Sequence, residues 1–311
     1  MPKLNRLRTL LCKAESSYGT NPTPTGSANS IQVRDLNVEP VVSDEVSREL
    51  VRGYLGQYET ILTNTRVNLT FSVEMTASGA LGTAPKYGPA LKACGMSETI
   101  SAGASVVYAP ISSSFPSATF FVNYDGVRHM ITGARGTCSF NCENNEIPLI
   151  NFQFQGIFNT ITDTAMPTQT ISNQAAPVTW TNGNTTNFSL FGYAAACSAW
   201  SLDLNNELVY RQLVGGTKEV LLTNRMPSGS ATVEAVALSA HNFFTDATGS
   251  STGANTWAHN GGTGNKITMS VSQTDLGQPS YEEADGITML NLPFVATPTA
   301  AGNNEFQITY H

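Results

Sequence analysis

Two stretches of this sequence resemble each other, one in each half of the chain. Residues 48–64 read RELVRGYLGQYETILTN and residues 211–224 read RQLVGGTKEVLLTN. Ten positions match in a fixed order, six at a spacing of 160 residues and four at 163: Glu59/Glu219, Leu62/Leu222, Thr63/Thr223, Asn64/Asn224, Val73/Val233 and Glu74/Glu234, then Arg48/Arg211, Leu50/Leu213, Val51/Val214 and Gly53/Gly216. The change of spacing fits a loop, where insertions are tolerated. We infer that the chain contains one module twice, and such a chain can form a pseudo-symmetric ring from half as many subunits.

Strand patterns dominate both halves. In residues 65–76, TRVNLTFSVEMT, apolar and polar residues alternate strictly: Val67, Leu69, Phe71, Val73 and Met75 are the apolar set. A period of two predicts a strand with one buried face and one face in contact with water or with another surface. Similar stretches recur in the second half, for example residues 218–224, 231–238, 266–275 and 287–296. Asp125-Gly126 and Asp285-Gly286 are typical of tight turns.

Helical patterns are nearly absent. Each half has one short candidate after its Val-Glu strand, at residues 85–94 and around residues 238–244, and both are too short to be stable without packing on a sheet. Residues 162–180 are rich in Thr, Pro, Ala and Asn, which is typical of a linker. The sequence therefore predicts a mainly β fold with two tandem β-sandwich or half-barrel domains, each carrying one short helix.

The composition limits what the chain can bind. Charged residues make up 13% of the 311 residues, and the net charge is −7, so strong affinity for nucleic-acid phosphates is not expected. No apolar stretch reaches the length of a membrane span, and the basic N-terminus lacks a signal-peptide core. Five widely spaced cysteines predict buried, reduced thiols and no disulfide framework.

Patterns typical of enzymes are missing. The histidines, at positions 129, 241, 259 and 311, have no metal-ligand spacing, and no GxSxG, Walker A or dinucleotide-binding loop is present. Glu282, Glu283 and Asp285 are close in sequence, but they are more typical of a solvated loop than of a glycosidase carboxylate pair. We expect no enzymatic activity, no cofactor and no metal site.

Residues 13–40, KAESSYGTNPTPTGSANSIQVRDLNVEP, suggest a family. They resemble the N-terminal signature of phage tail tube proteins, in which a short basic arm precedes a Tyr-Gly-Thr-x-Pro-x-Pro-type loop and the first strand. The loop residues here are Tyr18, Gly19, Thr20, Pro22, Pro24 and Gly26. The resemblance covers most of the first half, and the second half is included through its match to the first.

The resemblance implies a structural virion protein, the major tail protein of a long-tailed, siphovirus-type bacteriophage. Its subunits would form rings, the rings would stack into a tube, and double-stranded DNA would pass through the lumen without specific binding. Rings of the family hold six tube domains, so three chains with two domains each would complete one. We expect an N-terminal arm (1–30), a first tube domain (31–165), a linker (166–178) and a second tube domain (179–311). The implied partners are further copies of the chain and the tail terminator, tail tip and tape measure proteins. The protein would be made in the bacterial cytoplasm and would contact no membrane.

Two sets of residues are candidates for the functional surfaces. The polar faces of the alternating strands are predicted to line the lumen, where carboxylates and hydroxyls would let DNA slide: Asn68, Thr70, Ser72, Glu74, Thr232 and Glu234. An ordinary outer face with salt bridges remains an equal alternative for Glu74 and Glu234. A hairpin around residues 43–60 is too apolar to be left uncovered, so it is predicted to contact the adjacent ring, through Arg48, Leu50, Arg52, Tyr54, Tyr58 and Arg211. Packing of this hairpin within its own subunit is the alternative.

Two alternatives stay open. In the first, residues 175–311 form an outer decoration domain and the rings are true hexamers. In the second, the chain is a capsid decoration protein or a carbohydrate-binding β-sandwich. A carbohydrate-binding module usually exposes clustered aromatic residues, whereas Trp180, Trp200 and Trp257 are dispersed along the sequence.

Overall fold

The computed structural model describes residues 2–171, 174–249 and 251–311. These residues form a mainly β structure with three short helices. The first half contains β1 (Arg8–Ala14), α1 (Gly26–Asn29), β2 (Ser30–Ile31), β3 (Arg34–Ser47), β4 (Thr60–Glu74), α2 (Gly88–Ala93), β5 (Met96–Ser101), β6 (Ser105–Pro110), β7 (Ala118–Tyr124), β8 (Val127–Glu143), β9 (Leu149–Phe158) and β10 (Thr162–Asp163). The second half contains β11 (Thr185–Leu190), β12 (Cys197–Asp203), β13 (Asn206–Arg211), β14 (Glu219–Arg225), β15 (Ser228–Glu234), α3 (Phe243–Thr248), β16 (Thr252–Asn260), β17 (Lys266–Leu276), β18 (Ser280–Ala284), β19 (Ile287–Ala296) and β20 (Phe306–Tyr310).

The two halves share one strand order. In the first half the antiparallel neighbours run β1-β7-β8-β9-β4-β3. In the second half they run β11-β16-β17-β19-β15-β12. β17 and β18 together correspond to the long β8, because both border β19 and only residues 277–279 separate them. This common order is the structural counterpart of the sequence repeat.

One antiparallel sheet runs through both halves. Residues 139–143 of β8 pair with residues 199–203 of β12, which joins the halves edge to edge. The continuous order is therefore β3-β4-β9-β8-β12-β15-β19-β18, eight strands in which each half contributes four. A second link is β20, which pairs with β6 of the first half and β17 of the second.

The predicted alternation is confirmed. Val67, Leu69, Phe71, Val73 and Met75 are all buried, and the intervening residues of β4 lie on the opposite face. The apolar face packs in a core that extends through both halves. In the first half it is built on stacked and tilted phenylalanine rings, such as Phe71 on Phe152 with centroids 5.1 Å apart and Phe120 on Phe154 at 4.7 Å.

The tryptophans that are dispersed in the sequence meet in the second half. The Trp257 ring lies 4.9 Å from Trp180 and 5.3 Å from Trp200, and all three side chains are almost fully buried. Their edge-to-face packing is the arrangement that aromatic quadrupoles favour. They form a core cluster and offer no exposed platform for a sugar ring.

Each half contains the short helix that was predicted for it, and the first half also contains α1, which the sequence did not predict. α2 begins beside Pro89 and buries Ala90 and Leu91 against the sheet. α3 starts only at Phe243, at the end of the predicted segment, because the side chain of Asn242 caps it by accepting a hydrogen bond from the Thr245 N–H.

The N-terminal segment is more ordered than an arm. β1 pairs with β7 over its full length, and Leu10, Leu11 and Cys12 are buried. The residues before β1 are exposed, including Leu4 and Leu7. The central part of the predicted arm therefore belongs to the sheet, because its apolar patch completes the edge beside β7. The predicted linker includes Ser172 and Asn173, which lie outside the described residues.

Candidate assembly and channel surfaces

The six candidate channel residues lie on the polar face of the eight-stranded sheet. Asn68, Thr70, Ser72 and Glu74 alternate with the buried residues of β4, and Thr232 and Glu234 alternate with those of β15. Glu74 and Glu234 occupy equivalent ends of their strands, opposite Leu149 of β9 and Met289 of β19. The repeat therefore places two carboxylates at matching positions of one surface.

The polar face is rich in carboxylates. Six of them belong to its strands: Glu39, Glu74, Glu143, Asp203, Glu234 and Glu282. Arg34 lies 2.8 Å from Glu74 and Arg66 3.5 Å from Asp44, so both arginines are paired with acids. Such a surface repels phosphate.

Hydrogen bonds between neighbouring strands orient the amides and hydroxyls of this face. Asn68 donates to Glu39 at 2.8 Å, and Ser72 donates to the amide oxygen of Asn151 at 2.7 Å. The hydroxyls of Ser201 and Ser230 lie 3.1 Å apart in the second half. These side chains therefore use part of their hydrogen-bonding capacity within the sheet.

The first hairpin consists of the distal parts of β3 and β4, with residues 48–59 as its tip. It contains most of the candidate ring-contact residues. Its tip folds around Arg52, whose guanidinium lies 3.8 Å from the centre of the Tyr58 ring and 4.9 Å from that of Tyr54. Arg48 lies 3.6 Å from Glu59. Leu50 is exposed, and Val51 and Leu55 are fully exposed, so the tip presents uncovered apolar side chains.

The second hairpin, β13–β14, contains the matching sequence and lies on the first half. Val220 is fully buried, and the Tyr210 hydroxyl donates to the Thr65 carbonyl at 3.0 Å. Arg211 is exposed at the end of β13, and the tip beyond it exposes Leu213 and Val214. The stem of this hairpin is covered by the first half, whereas its tip is as exposed to solvent as the tip of the first hairpin.

Arg135 anchors the second hairpin. Its guanidinium donates to the Glu219 carboxylate at 3.0 Å, to the Val220 carbonyl at 2.7 Å and to the Phe115 carbonyl at 2.9 Å. The side chain is nearly buried, so these charge-assisted bonds are shielded from water. The sequence carries no local signal for the role of Arg135, because its partners are 20 to 85 residues away.

The Tyr-Gly-Thr loop completes this anchor. The Tyr18 ring lies under the Arg135 guanidinium at 4.7 Å, and its hydroxyl accepts a hydrogen bond from the Val220 N–H at 2.6 Å. Burial raises the pKa of Tyr18 to about 12. Gly19 adopts φ +71°, a conformation that favours glycine. The Tyr-Gly-Thr loop thus supports the β13–β14 hairpin of the second half.

Glu15, just before the loop, holds it in place. Its carboxylate accepts hydrogen bonds from the Gly19 and Gly133 N–H groups and from the Ser117 and Thr119 hydroxyls, at 2.6 to 2.8 Å. Four donors to one carboxylate fix the loop against β7 and β8. The signature therefore has a structural role that its sequence alone does not reveal.

Possible metal ligands lie apart from one another in the part of the chain that the structure describes. Among the described residues, no three His, Cys, Asp or Glu side chains lie close enough to hold a metal ion. Burial raises the pKa of the Cys12, Cys94 and Cys142 thiols well above the ordinary value, which keeps them protonated. None of the helices in the described part of the chain has the length and hydropathy of a membrane span.

Comparison with known proteins identifies the family. A search of curated proteins finds no match to the chain. The family model described as phage tail tube protein matches residues 5–296, which covers both halves. The long β-sheet, the repeated hairpins and this match agree, and the chain belongs to the phage tail tube protein family.

Proposed function

We propose that three copies of this chain form a ring, with each half acting as one tube domain, and that stacked rings form the tail tube that conducts phage DNA. The observation that carries this proposal is the eight-stranded sheet, to which each half contributes four strands in the same order. A second half that served as an outer decoration would have no need to extend the same sheet.

The lumen is formed by the part of this polar face that the second hairpin leaves open, since Leu208 of that hairpin lies at Asn68 and Thr70. Glu74 and Glu234 repeat along the open part. Arg34 pairs with Glu74, and the remaining carboxylates of the face repel the DNA phosphates, so the DNA slides without being held. Residual attraction is low because Arg34 and Arg66 are paired with carboxylates.

The hairpin tips make the contact between rings. Leu50 and Val51 in the first tip match Leu213 and Val214 in the second, and all four are exposed. Apolar side chains at such tips are stabilised by burial against a neighbour, at roughly 25 cal/mol per Å² of apolar area. Arg48, Arg52 and Arg211 supply the cations of the same contact, and Tyr54 and Tyr58 hold Arg52 in place.

The tube also meets other tail components. Its further partners are the tail terminator, tail tip and tape measure proteins. The protein is made in the bacterial cytoplasm and resides in the tail of the virion.

Cryo-electron microscopy of the assembled protein tests the proposal. We expect stacked rings of three chains, with six similar domains around a channel to which Glu74 and Glu234 point. Rings of six chains with residues 175–311 outside the wall would contradict the three-chain ring. A chain that forms neither rings nor tubes at any concentration would contradict the tube function.

A further inference from the structure

The residues that follow β4 are covered by a later part of the chain. Residues 75–77 are almost fully buried. The Ala77 N–H donates to the side chain of Asn265 at 2.8 Å, and the Ala77 carbonyl accepts from the Ala175 N–H at 3.1 Å. Both partners follow β10 in the chain, so elements that lead into the second half close this end of the first half.

The segment that does so also binds the turn between β8 and β9. The Trp180 N–H donates to the Glu146 carbonyl at 2.7 Å, and the Trp180 carbonyl accepts from the Asn145 N–H at 2.9 Å. We call residues 175–184, which end where β11 begins, the cover segment. It belongs to the second half and lies on the first.

The repeat assigns a counterpart to the cover segment, namely the N-terminal segment, residues 2–7, which ends where β1 begins. Each segment makes one backbone hydrogen bond to the strand end beside it and one within itself. These bonds are Asp125 N–H to Leu7 at 2.9 Å and Leu7 N–H to Leu4 at 3.1 Å in the first half, and Asn260 N–H to Asn184 at 2.7 Å and Asn184 N–H to Thr181 at 3.0 Å in the second. Lys3 and Leu4 therefore match Trp180 and Thr181.

The site that the cover segment occupies also has a counterpart, after β15. The first residue beyond each strand bonds to the following hairpin in the same way: the Met75 N–H donates to the Pro148 carbonyl at 2.8 Å, and the Ala235 N–H donates to the Thr288 carbonyl at 3.1 Å. Met75 is 2% exposed, whereas Ala235 and Ala237 are exposed to solvent. The second half therefore lacks the cover that the first half has.

An apolar groove begins at this uncovered site. It has a volume of about 610 Å³ and lies between the residues after β15, helix α3 and strands β18 and β19. Its lining includes Leu238, Phe244, Tyr281 and Leu290. Leu238 is 60% exposed and Tyr281 is 66% exposed. Apolar surface that is concentrated in this way is typical of a contact site.

The turn beside the groove is acidic, and the N-terminal segment is basic. Three exposed carboxylates lie in or next to the β18–β19 turn and form no ion pair among the described residues: Glu282, Glu283 and Asp285. The N-terminal segment carries Lys3 and Arg6 beside the exposed Leu4 and Leu7. The two surfaces are therefore complementary in charge, and both have apolar side chains to bury.

We propose that the N-terminal segment of one copy docks on the groove and the acidic turn of another copy, as the cover segment docks on the first half. Leu4 enters the groove, and Lys3 and Arg6 face Glu283 and Asp285. The inference rests on the proposed ring, and it names a contact that ties neighbouring chains together.

The N-terminal segment is already shaped for this contact by its own half. Its backbone is fixed because the Leu4 N–H donates to the Asp125 carboxylate at 2.8 Å. The Lys3 ammonium donates to the Asp125 carbonyl at 2.7 Å, which leaves two further N–H donors for a carboxylate of the partner. A segment that is ordered in advance loses less conformational entropy on binding than a free tail does.

Charge reversal in the full-length chain tests the contact. One variant carries Lys3→Glu and Arg6→Glu, a second carries Glu283→Lys and Asp285→Lys, and a third carries all four substitutions. The measurement is the lowest protein concentration at which tubes sediment at low ionic strength. We expect this concentration to rise about fivefold or more in each double variant, because like charges then meet, and to return close to that of the parent in the fourfold variant. Added salt should reduce the differences.

Denaturation of the unassembled chains is the control, and we expect similar free energies of unfolding in all four proteins because the substituted side chains are exposed. A sedimentation threshold that neither double variant changes, or a loss that the fourfold variant does not restore, would overturn the docking and leave the tube function intact. Failure of the unsubstituted chain to form rings or tubes would instead overturn the tube function, and the inference with it.

Carbodiimide coupling of the assembled parent chain tests the same contact without substitutions. In tubes formed from a mixture of ¹⁴N- and ¹⁵N-labelled chains, we expect mass spectra to show Lys3 joined to Glu283 or Asp285 of a different copy. Tubes in which Lys3 is coupled only to other carboxylates would overturn the docking.

Discussion

The two hairpins share a sequence motif but have different surroundings. In β14, Val220 is buried and Glu219 bonds to Arg135, whereas in β4 the matched residues Thr60 and Glu59 are exposed. The second hairpin lies on the first half, whereas the matched residues of the first hairpin are left uncovered in the described structure. The same motif is therefore packed on its own chain in one copy of the repeat and is available to a partner in the other.

The largest expected difference comes from the ion pair of the second hairpin. Arg135→Met leaves the Glu219 carboxylate and two carbonyls without their donor in a nearly buried site. We expect the free energy of unfolding to fall by about 3 kcal/mol, measured by chemical denaturation of the unassembled chain. The control is Arg48→Met, which removes the ion pair with Glu59, the residue matched to Glu219; this exposed ion pair should contribute less than about 0.5 kcal/mol. Equal effects in the two variants would contradict the comparison.

A smaller difference is expected from apolar burial. Val220→Ala removes two methyl groups from a fully buried site, and we expect a loss of roughly 1–2 kcal/mol in unfolding free energy. Thr60→Ala, at the matched position, should leave the unassembled chain nearly unchanged. If Thr60→Ala is the more destabilising of the two, the first hairpin is covered within its own chain and the contrast fails.

The smallest effect concerns alkaline pH. Because burial raises the pKa of Tyr18 to about 12, the unfolded chain loses this proton first, and the stability that Tyr18 contributes is present below about pH 10 and lost as the pH rises towards 12. Tyr18→Phe should cost about 1 kcal/mol at neutral pH, since the Val220 N–H loses its acceptor. The same variant should lose less stability than the parent between pH 10 and 12, as followed by denaturation curves at each pH. A parallel loss in both chains would show that the Tyr18 hydroxyl is not responsible.

Local patterns predicted much of this fold from the sequence. The alternation in β4 identified its buried face, because a period of two depends only on neighbouring residues, and the matched hairpins marked the repeat. The sequence did not reveal the β8–β12 pairing or the contact between Arg135 and Glu219. Both join residues far apart in the chain, and neither strand edge nor arginine carries a local signal of its partner.

The positions of α3 and β1 differ from those that the sequence predicts, for different reasons. The helix begins at Phe243, where Asn242 caps it, whereas the apolar residues before that point favour an earlier start. The strand β1 forms where the sequence predicts an arm, because seven residues next to a basic segment show no long alternation. A capping residue determines where α3 begins, and pairing with β7, which is distant in sequence, makes residues 8–14 a strand.

The β8–β12 pairing, which joins the two halves within one chain, affects how assembly depends on protein concentration. In the proposed ring every second contact between neighbouring domains is of this kind. Its two sides therefore meet at an effective concentration that dilution does not lower. Only the remaining junctions carry the entropic cost of bringing free molecules together. Ring formation should therefore begin at a lower subunit concentration, and rise less steeply with it, than for a tube built from separate single-domain chains. In an infected cell, that would let tube growth start early, when few copies have been made.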